Sequence, residues 1–545
     1  VSLARSPGGR RRGRQRLPVR YQAAPGSDGA DGIALKTTAW AFALTLLLAA
    51  PAYGAYDDEP AGLIGTSATL AKVRLLYEHA HQHEYTRAAT VIEDWRLFQD
   101  GTVGDFRVYQ LGKDVRAITT LGPMSYQKGV VHGVHWQQDR NGITFVDAGL
   151  RDQRDAASER AFRDPSDERD VRLVGESPAF GAYVVEADPP TGVHEWLFID
   201  KRSGLVVRRE SVERRSRVTT SYDDYRLFEG VWDPSRVDTI DSLGNEREQL
   251  LANRAVDTTP DPRDVEMPPS RRVVEFTEKQ TTAVRLPVRF VDGLPVVRVI
   301  VGRGAYDFLL DSGAGGIFID PSIADQQHLE RFGKHIGSTV GAFQESMTIV
   351  PLVTIGDLRM RNLAARVVTL PFQIDAHTHI VGLLGFDFFA DAVVHLDLEH
   401  NLAEAIVPEH FHPPTDASSA TLSLDDRTPA VHIGAGSTVG RVVLDTGANQ
   451  TILESAFADR GEFAPDRFET PTRVRGIGGL ASAIPTRVPG IEIGGLWLRD
   501  VTVDVSNVDL GSDELDGTIG TDLLRSYELW FDYRANAVYL RRARR

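Results

Sequence analysis

Two short segments, Phe308-Leu-Leu-Asp311-Ser-Gly-Ala314 and Val442-Val-Leu-Asp445-Thr-Gly-Ala448, each set a single carboxylate between three apolar residues and a glycine turn. The apolar triplet reads as the end of a buried strand, the hydroxyl can bond backbone, and the glycine lets the chain turn where a side chain would clash. Two carboxyls brought within a few ångströms of each other cannot both ionise, so they hold one proton between them. The ionised member can then take a proton from a trapped water, which attacks a carbonyl carbon, while the protonated member donates to the carbonyl oxygen. One copy would be weak evidence, since Asp-Ser-Gly and Asp-Thr-Gly also occur in ordinary turns.

The duplication extends well beyond these segments. A constant offset of 134 residues places Pro295 on Pro429, Asp311 on Asp445, Gly313 on Gly447, Ala324 on Ala458, Val340 on Val474 and Pro351 on Pro485. A short insertion then brings Ile355-Gly-Asp-Leu358 over Ile493-Gly-Gly-Leu496. Farther on, Leu383-Leu-Gly385-Phe-Asp387 falls on Thr518-Ile-Gly520-Thr-Asp522, and His395-Leu-Asp397 on Trp530-Phe-Asp532 at an offset of 135. Residues 286–411 and 421–545 therefore read as two copies of one unit, joined by a linker over 412–420.

With both motifs present in each copy, the chain resembles the aspartic peptidases, and more closely their retropepsin-like branch. The resemblance implies a mainly β fold in which two homologous β-barrel lobes form a bilobal aspartic peptidase acting on a peptide or protein. It implies that Asp311 and Asp445 are the catalytic dyad and that Gly313 and Gly447 donate backbone N–H groups to it. The Ser312 and Thr446 hydroxyls would tie the two loops together across a pseudo-twofold axis. Ser312 departs from the usual Thr but keeps the hydroxyl. Activation of water by the dyad requires no metal or organic cofactor, and having both lobes in one chain points to a monomer. The digestive branch carries Ser or Thr after the motif glycine, whereas both positions here are alanine, Ala314 and Ala448. Fewer hydrogen bonds to the charged form raise the pair's pKa values, so activity is expected at mildly acidic to neutral pH. A glycine-tipped hairpin that closes over substrate is expected at Val474-Arg-Gly476-Ile477-Gly478-Gly479-Leu480. Lobe one offers only Gly341-Ala-Phe343, which reads equally as a second flap or as a structural turn.

Farther from this chemistry, 545 residues with 42% hydrophobic content leave room for about three domains. Residues 1–34, with Gly9-Arg-Arg-Arg-Gly-Arg14, read as a basic disordered or upstream segment, and 35–54 as a signal peptide built on Lys36, the apolar run Ala39 to Ala50 and small residues to Gly54. That run is too short for a membrane anchor, so a periplasmic or secreted location is expected. Removing these residues takes away eight basic and two acidic side chains and moves the formal charge from −15 to −21, which disfavours nucleic acid as a partner. No cysteine is present, which excludes disulfides and thiolate metal sites.

Residues 56–255 alternate apolar and polar positions between turn residues, after one helical stretch over Ser67 to His83. They are expected to form a curved antiparallel sheet with one or more helices. The strings Trp196-Leu-Phe-Ile-Asp200 and Tyr222-Asp-Asp-Tyr225 with the turns around them resemble the periplasmic lipoprotein-carrier fold. That resemblance leaves docking, a prodomain and a hydrophobic ligand all open as the domain's role. A Pro-rich linker is expected over 256–285. His79, His81 and His83 with Glu84, and His377 with His379, read as solvated groups rather than a metal site, because a helix places only His79 and His83 on one face.

Overall fold

The computed structural model describes residues 59–81, 90–164, 169–213, 216–228, 230–256, 261–278, 281–463, 470–508, 510 and 514–544. The basic segment, the expected signal peptide, His83 and Glu84 lie outside the described residues.

Past a helix at Leu70–His81, alternating Thr, Val, Tyr and Arg positions form an antiparallel sheet of 13 strands. The chain enters this sheet in the middle at Thr90–Gln99 and zigzags to one edge at Thr144–Val146. It crosses through the helix Leu150–Arg163 to the opposite edge at Val171–Ser177, then zigzags back until Glu246–Val256 pairs with Thr90–Gln99. Both helices cover one face near that second edge, where Val73, Tyr77, Ala161 and Phe162 pack on Val185 and Ile199. The buried Arg74 guanidinium joins the two helices by donating to the Phe162 carbonyl at 2.8 Å. His81 is the last residue of the first helix, stacked on Tyr77 and bonded to its carbonyl.

The two repeated units fold alike. In lobe one, Leu294–Val301 and Gly304–Leu310 form a hairpin whose second strand runs parallel to Gly382–Leu384. In lobe two, Thr428–Ala435 and Thr438–Leu444 form the same hairpin, and the second strand runs parallel to Gly517–Ile519. In both, the strand carrying the Asp ends in the middle of a sheet with every triplet side chain buried, which explains the apolar triplets Phe308 to Leu310 and Val442 to Leu444. The lobes meet in a shared sheet, where Val393–Asp397 pairs antiparallel with Tyr527–Asp532 and His395 stacks on Trp530 at 4.5 Å.

The repeat runs in two registers. The helices Pro321–Gln326 and Ser455–Arg460 keep the offset of 134, but the hairpin strands after them pair Ser338 with Gly476 and Ile355 with Ile493, both 138 apart. The insertion thus lies between helix and hairpin, earlier than the sequence alignment places it, and Pro351 corresponds to Pro489 rather than Pro485. Much of the expected linker at 256–285 is structured. Val273 and Val274 are buried, Glu275–Phe276 pairs with Leu358–Val368, and Ala283–Arg285 pairs with Leu402–Ile406.

Candidate active site

Asp311 and Asp445 end equivalent strands, and their carboxyls hydrogen-bond to each other. Each also receives backbone N–H groups from its own turn. Gly313 and Ala314 each donate to Asp311 Oδ1 at 2.9 Å, and Gly447 donates to Asp445 Oδ1 at 2.8 Å. Both glycines are required by close approach, since a Cβ on Gly313 would stand 2.6 Å from Asp445 Cγ and one on Gly447 would overlap the Asp311 carboxyl. Burial, then the charge of Asp445, pushes Asp311 well above the usual carboxylate range. Asp445 is also raised by burial, but less freely, because Asp311 and the N–H groups of Gly447, Ala448 and Gly313 bond its charged form. Both carboxyls are thus raised and coupled, so the pair is set to hold one proton between its two members.

Reciprocal bonds lock the two turns together. Ser312 N donates to Thr446 Oγ1 and Thr446 N to Ser312 Oγ, each at 3.0 Å, while Ser312 Oγ donates to the Leu444 carbonyl and Thr446 Oγ1 to the Leu310 carbonyl, each at 2.6 Å. Both hydroxyl residues are fully buried, so each bond is made in a water-poor setting. Beneath them the Tyr533 hydroxyl donates to the Ser312 carbonyl at 2.9 Å. Burial, followed by the charges of Asp311 and Asp445, raises that phenol well above its ordinary value and keeps it a donor. Sequence reading missed Tyr533 because its repeat partner is the apolar Leu398. A hydroxyl departing from the repeat so close to Asp532 was the available signal.

Two hairpins cover the dyad. In lobe two, Thr472–Gly476 and Gly479–Ile493 are joined through Ile477 and Gly478, with Gly479 at φ +148°. Lobe one has its own hairpin, Phe332–Ser338 with Ala342–Ile355, which turns at Thr339 to Gly341. The tips meet, and a Cβ on Gly478 would run into the Gly341 backbone. The apolar tip residues cross over: Ile477 packs with the lobe-one cluster around Leu294, Phe318 and Leu383, and Val340 with the lobe-two cluster around Ile452, Val474 and Val508. Below the tips lies a cleft of about 870 Å³, lined by Asp311 and Asp445 and by side chains of both lobes and of the front domain.

Residues 297–388 and 430–523 each match the family model described as aspartyl protease. The chain thus holds, in tandem, two regions that match the aspartyl protease model. No curated protein sequence matches the chain. Among solved structures, the aspartic proteinase from Irpex lacteus is 15% identical, covers 48% of this chain and 97% of its own, and gives a TM-score of 0.31. Basic 7S globulin from soybean is 11% identical over 48% of this chain and 94% of its own, with a TM-score of 0.32. A lipoprotein-sorting protein domain from Vibrio parahaemolyticus is 11% identical over 36% of this chain and 95% of its own, with a TM-score of 0.26.

Elsewhere, His377 and His379 are exposed around the small hairpin of Gln373–Asp375 and Thr378–His379. Among the described residues no group of three or more His, Asp or Glu could hold a metal ion, and no helix is long and apolar enough to cross a membrane. The front domain has a cavity of about 460 Å³ beside its helices. Leu197, Val206 and Phe162 line it together with Asp155, Glu195 and Arg209, and Arg209 pairs with Asp155 at 2.7 Å and with Glu195. An acyl chain there would meet a charged floor.

Proposed function

We propose that this protein is an exported aspartic endopeptidase that hydrolyses peptide bonds with a water activated by Asp311 and Asp445. The observation that carries the reading is the shared hydrogen bond between these two buried carboxyls at the floor of a cleft roofed by two hairpins. With the shared proton on Asp311, Asp445 takes a proton from water as the water oxygen bonds to the peptide carbonyl carbon, and Asp311 gives its proton to the carbonyl oxygen. Collapse of the tetrahedral intermediate breaks the C–N bond, with a proton passing to the leaving nitrogen. The hydroxyl lattice of Ser312 and Thr446 fixes the carboxyl positions, so little rearrangement is needed at the moment of reaction. Closed hairpin tips exclude bulk water from the cleft. Export rests on the charged, apolar and small-residue succession of residues 35–54, and a monomer on both carboxyls lying in one chain.

A non-catalytic peptide binder would use the same cleft. Incubating the protein from residue 55 onward with an unstructured protein over about pH 3 to 8, a span bracketing the ordinary Asp and His values, separates the two readings. Cleavage that disappears in Asp445→Asn supports the peptidase. Identical traces for parent and variant leave only a binder.

A further inference from the structure

We propose that the front-domain turn Asp241–Asn245 is a built-in part of the substrate site, holding the lobe-one hairpin in place and supplying an apolar wall that selects substrate side chains. The inference rests on the peptidase reading and adds a specificity element from outside both lobes.

The outer edge of strand Phe332–Ser338 is an unpaired sheet edge of lobe one, and such an edge exposes free backbone groups. The front domain occupies it. Asn245 acts as a substitute strand: its Oδ1 accepts from Ile336 N at 2.7 Å and its Nδ2 donates to the Ile336 carbonyl at 2.9 Å. One turn away, the Asp100 carbonyl accepts from Lys334 N at 2.9 Å, and Asp100 Oδ2 lies 3.0 Å from His335 Nδ1. Asn245 is itself pre-set. Asp241 Oδ1 accepts from Leu243 N and Asn245 N, and Asp241 Oδ2 accepts from Asn245 Nδ2 at 2.8 Å. A carboxamide oriented on both sides in this way is rigid enough to fix the strand it touches.

The same turn faces the cleft. Leu243 and Val218 are the apolar part of the front-domain lining of the cavity that holds Asp311 and Asp445, with Arg151, Ser216, Asp241 and Asn245 as its polar part, alongside Ile336 and Val340 of the lobe-one hairpin. An extended peptide under the hairpins would therefore lay a side chain against Leu243 and Val218. Apolar residues should be favoured there, because burying their surface is favourable while a charge would lose its water.

The test profiles cleavage sites in a random peptide library with full-length protein, comparing the parent with Leu243→Asp and Asn245→Ala. Leu243→Asp is expected to lower kcat/KM on peptides with the apolar residue by about tenfold or more and to shift the preference at that one position. Asn245→Ala is expected to raise KM by about tenfold with a much smaller change in kcat, two hydrogen bonds to the hairpin being lost. Leu243→Asp alters a side chain that is not part of the tether, so it reports on the wall even if Asn245→Ala unfolds. In parallel, peptides from the same library retained by immobilised Asp445→Asn protein are read by mass spectrometry, with and without Leu243→Asp. If the parent cleaves and neither variant changes the profile or KM, the inference is overturned. If the parent does not cleave but Leu243→Asp changes the retained peptides, the peptidase reading fails and the wall stands. Unchanged retention in that case removes both.

Discussion

A carboxyl's role depends on what surrounds it, and in this chain the surroundings of Asp311 and Asp445 raise both above the ordinary Asp range. In the proposed mechanism the pair carries one proton, so the acid limb of the rate profile should rise near the lower of two elevated values. A maximum between mildly acidic and neutral pH is the expected outcome, and a maximum below about pH 3 in a peptide-cleavage assay would contradict it. Ala314 bears on this directly, since only its N–H reaches Asp311. Ala314→Ser adds a hydroxyl able to bond the charged form and should move the acid limb to lower pH. Loss of either acid should cost on the order of a thousandfold or more in kcat, because one group cannot be both acid and base. These residues were legible in the sequence because their chemistry is local: triplet, acid, hydroxyl and glycine lie consecutively. Tyr533 was not legible, since its meaning depends on meeting Ser312 from across the fold.

Elements carry the next level of meaning, and here the lobe-one hairpin is the instructive case. Its sequence, Gly341-Ala-Phe343, gave no decision between flap and turn, whereas the glycine-rich lobe-two tip announced itself. The difference is physical. The two-residue turn through Ile477 and Gly478 closes onto Gly479 at φ +148°, a conformation that favours glycine, while the turn at Thr339 to Gly341 has no residue at positive φ. Meeting tip to tip makes Gly478 sensitive in a way no local turn rule would indicate. Gly478→Ala should push its methyl into the Gly341 backbone, part the tips, and lower kcat/KM by ten- to a hundredfold. Its effect on the unfolding temperature should be small, because the tips are at the surface of the cleft and not in the core. A variant with unchanged kinetics would mean that closure does not need this contact. The expected linker was misread for a related reason. Its prolines signalled a break, but Val273 and Val274 are drawn into the core by Asp391, which accepts from both backbone N–H groups at 2.6 and 2.8 Å.

At the scale of the molecule the question is whether the front domain is a removable cover or a structural part, and the buried Asp387 speaks to it. Its repeat counterpart Asp522 is bonded within its own lobe by Thr451, through N–H at 3.0 Å and hydroxyl at 2.7 Å. Lobe one has Ile317 in the position of Thr451, and Asp387 takes its bond from Asn141 of the front domain at 2.7 Å. Asn141 also exchanges two bonds with the Ala364 backbone, and Ile143 and Phe145 enter the core, with Phe145 set edge-on to Phe386 at 5.0 Å. Cutting the chain between 256 and 261 should therefore leave two pieces that co-elute in size-exclusion chromatography. Phe145→Ala in the cut protein should weaken their association by about 3–5 kcal/mol, which is the typical cost of emptying a buried aromatic site. Free release of the front piece after cutting, with a stable remainder, would establish the cover instead. Asp139 offers a finer check on the same seam. Burial, then the charge of Asp387, raises Asp139 well above its ordinary value, and the two carboxyls hydrogen-bond to each other. A group raised on folding adds stability below its unfolded value and loses it as pH climbs through the folded one. Asp139→Asn keeps a donor toward Asp387 and an acceptor for the Asn141 and Ile143 N–H groups but has no proton to lose. Denaturant unfolding should accordingly find the variant close to the parent at low pH and relatively more stable as pH rises, whereas a deficit in the variant that grows as pH rises would show that Asp139 serves as a charged partner.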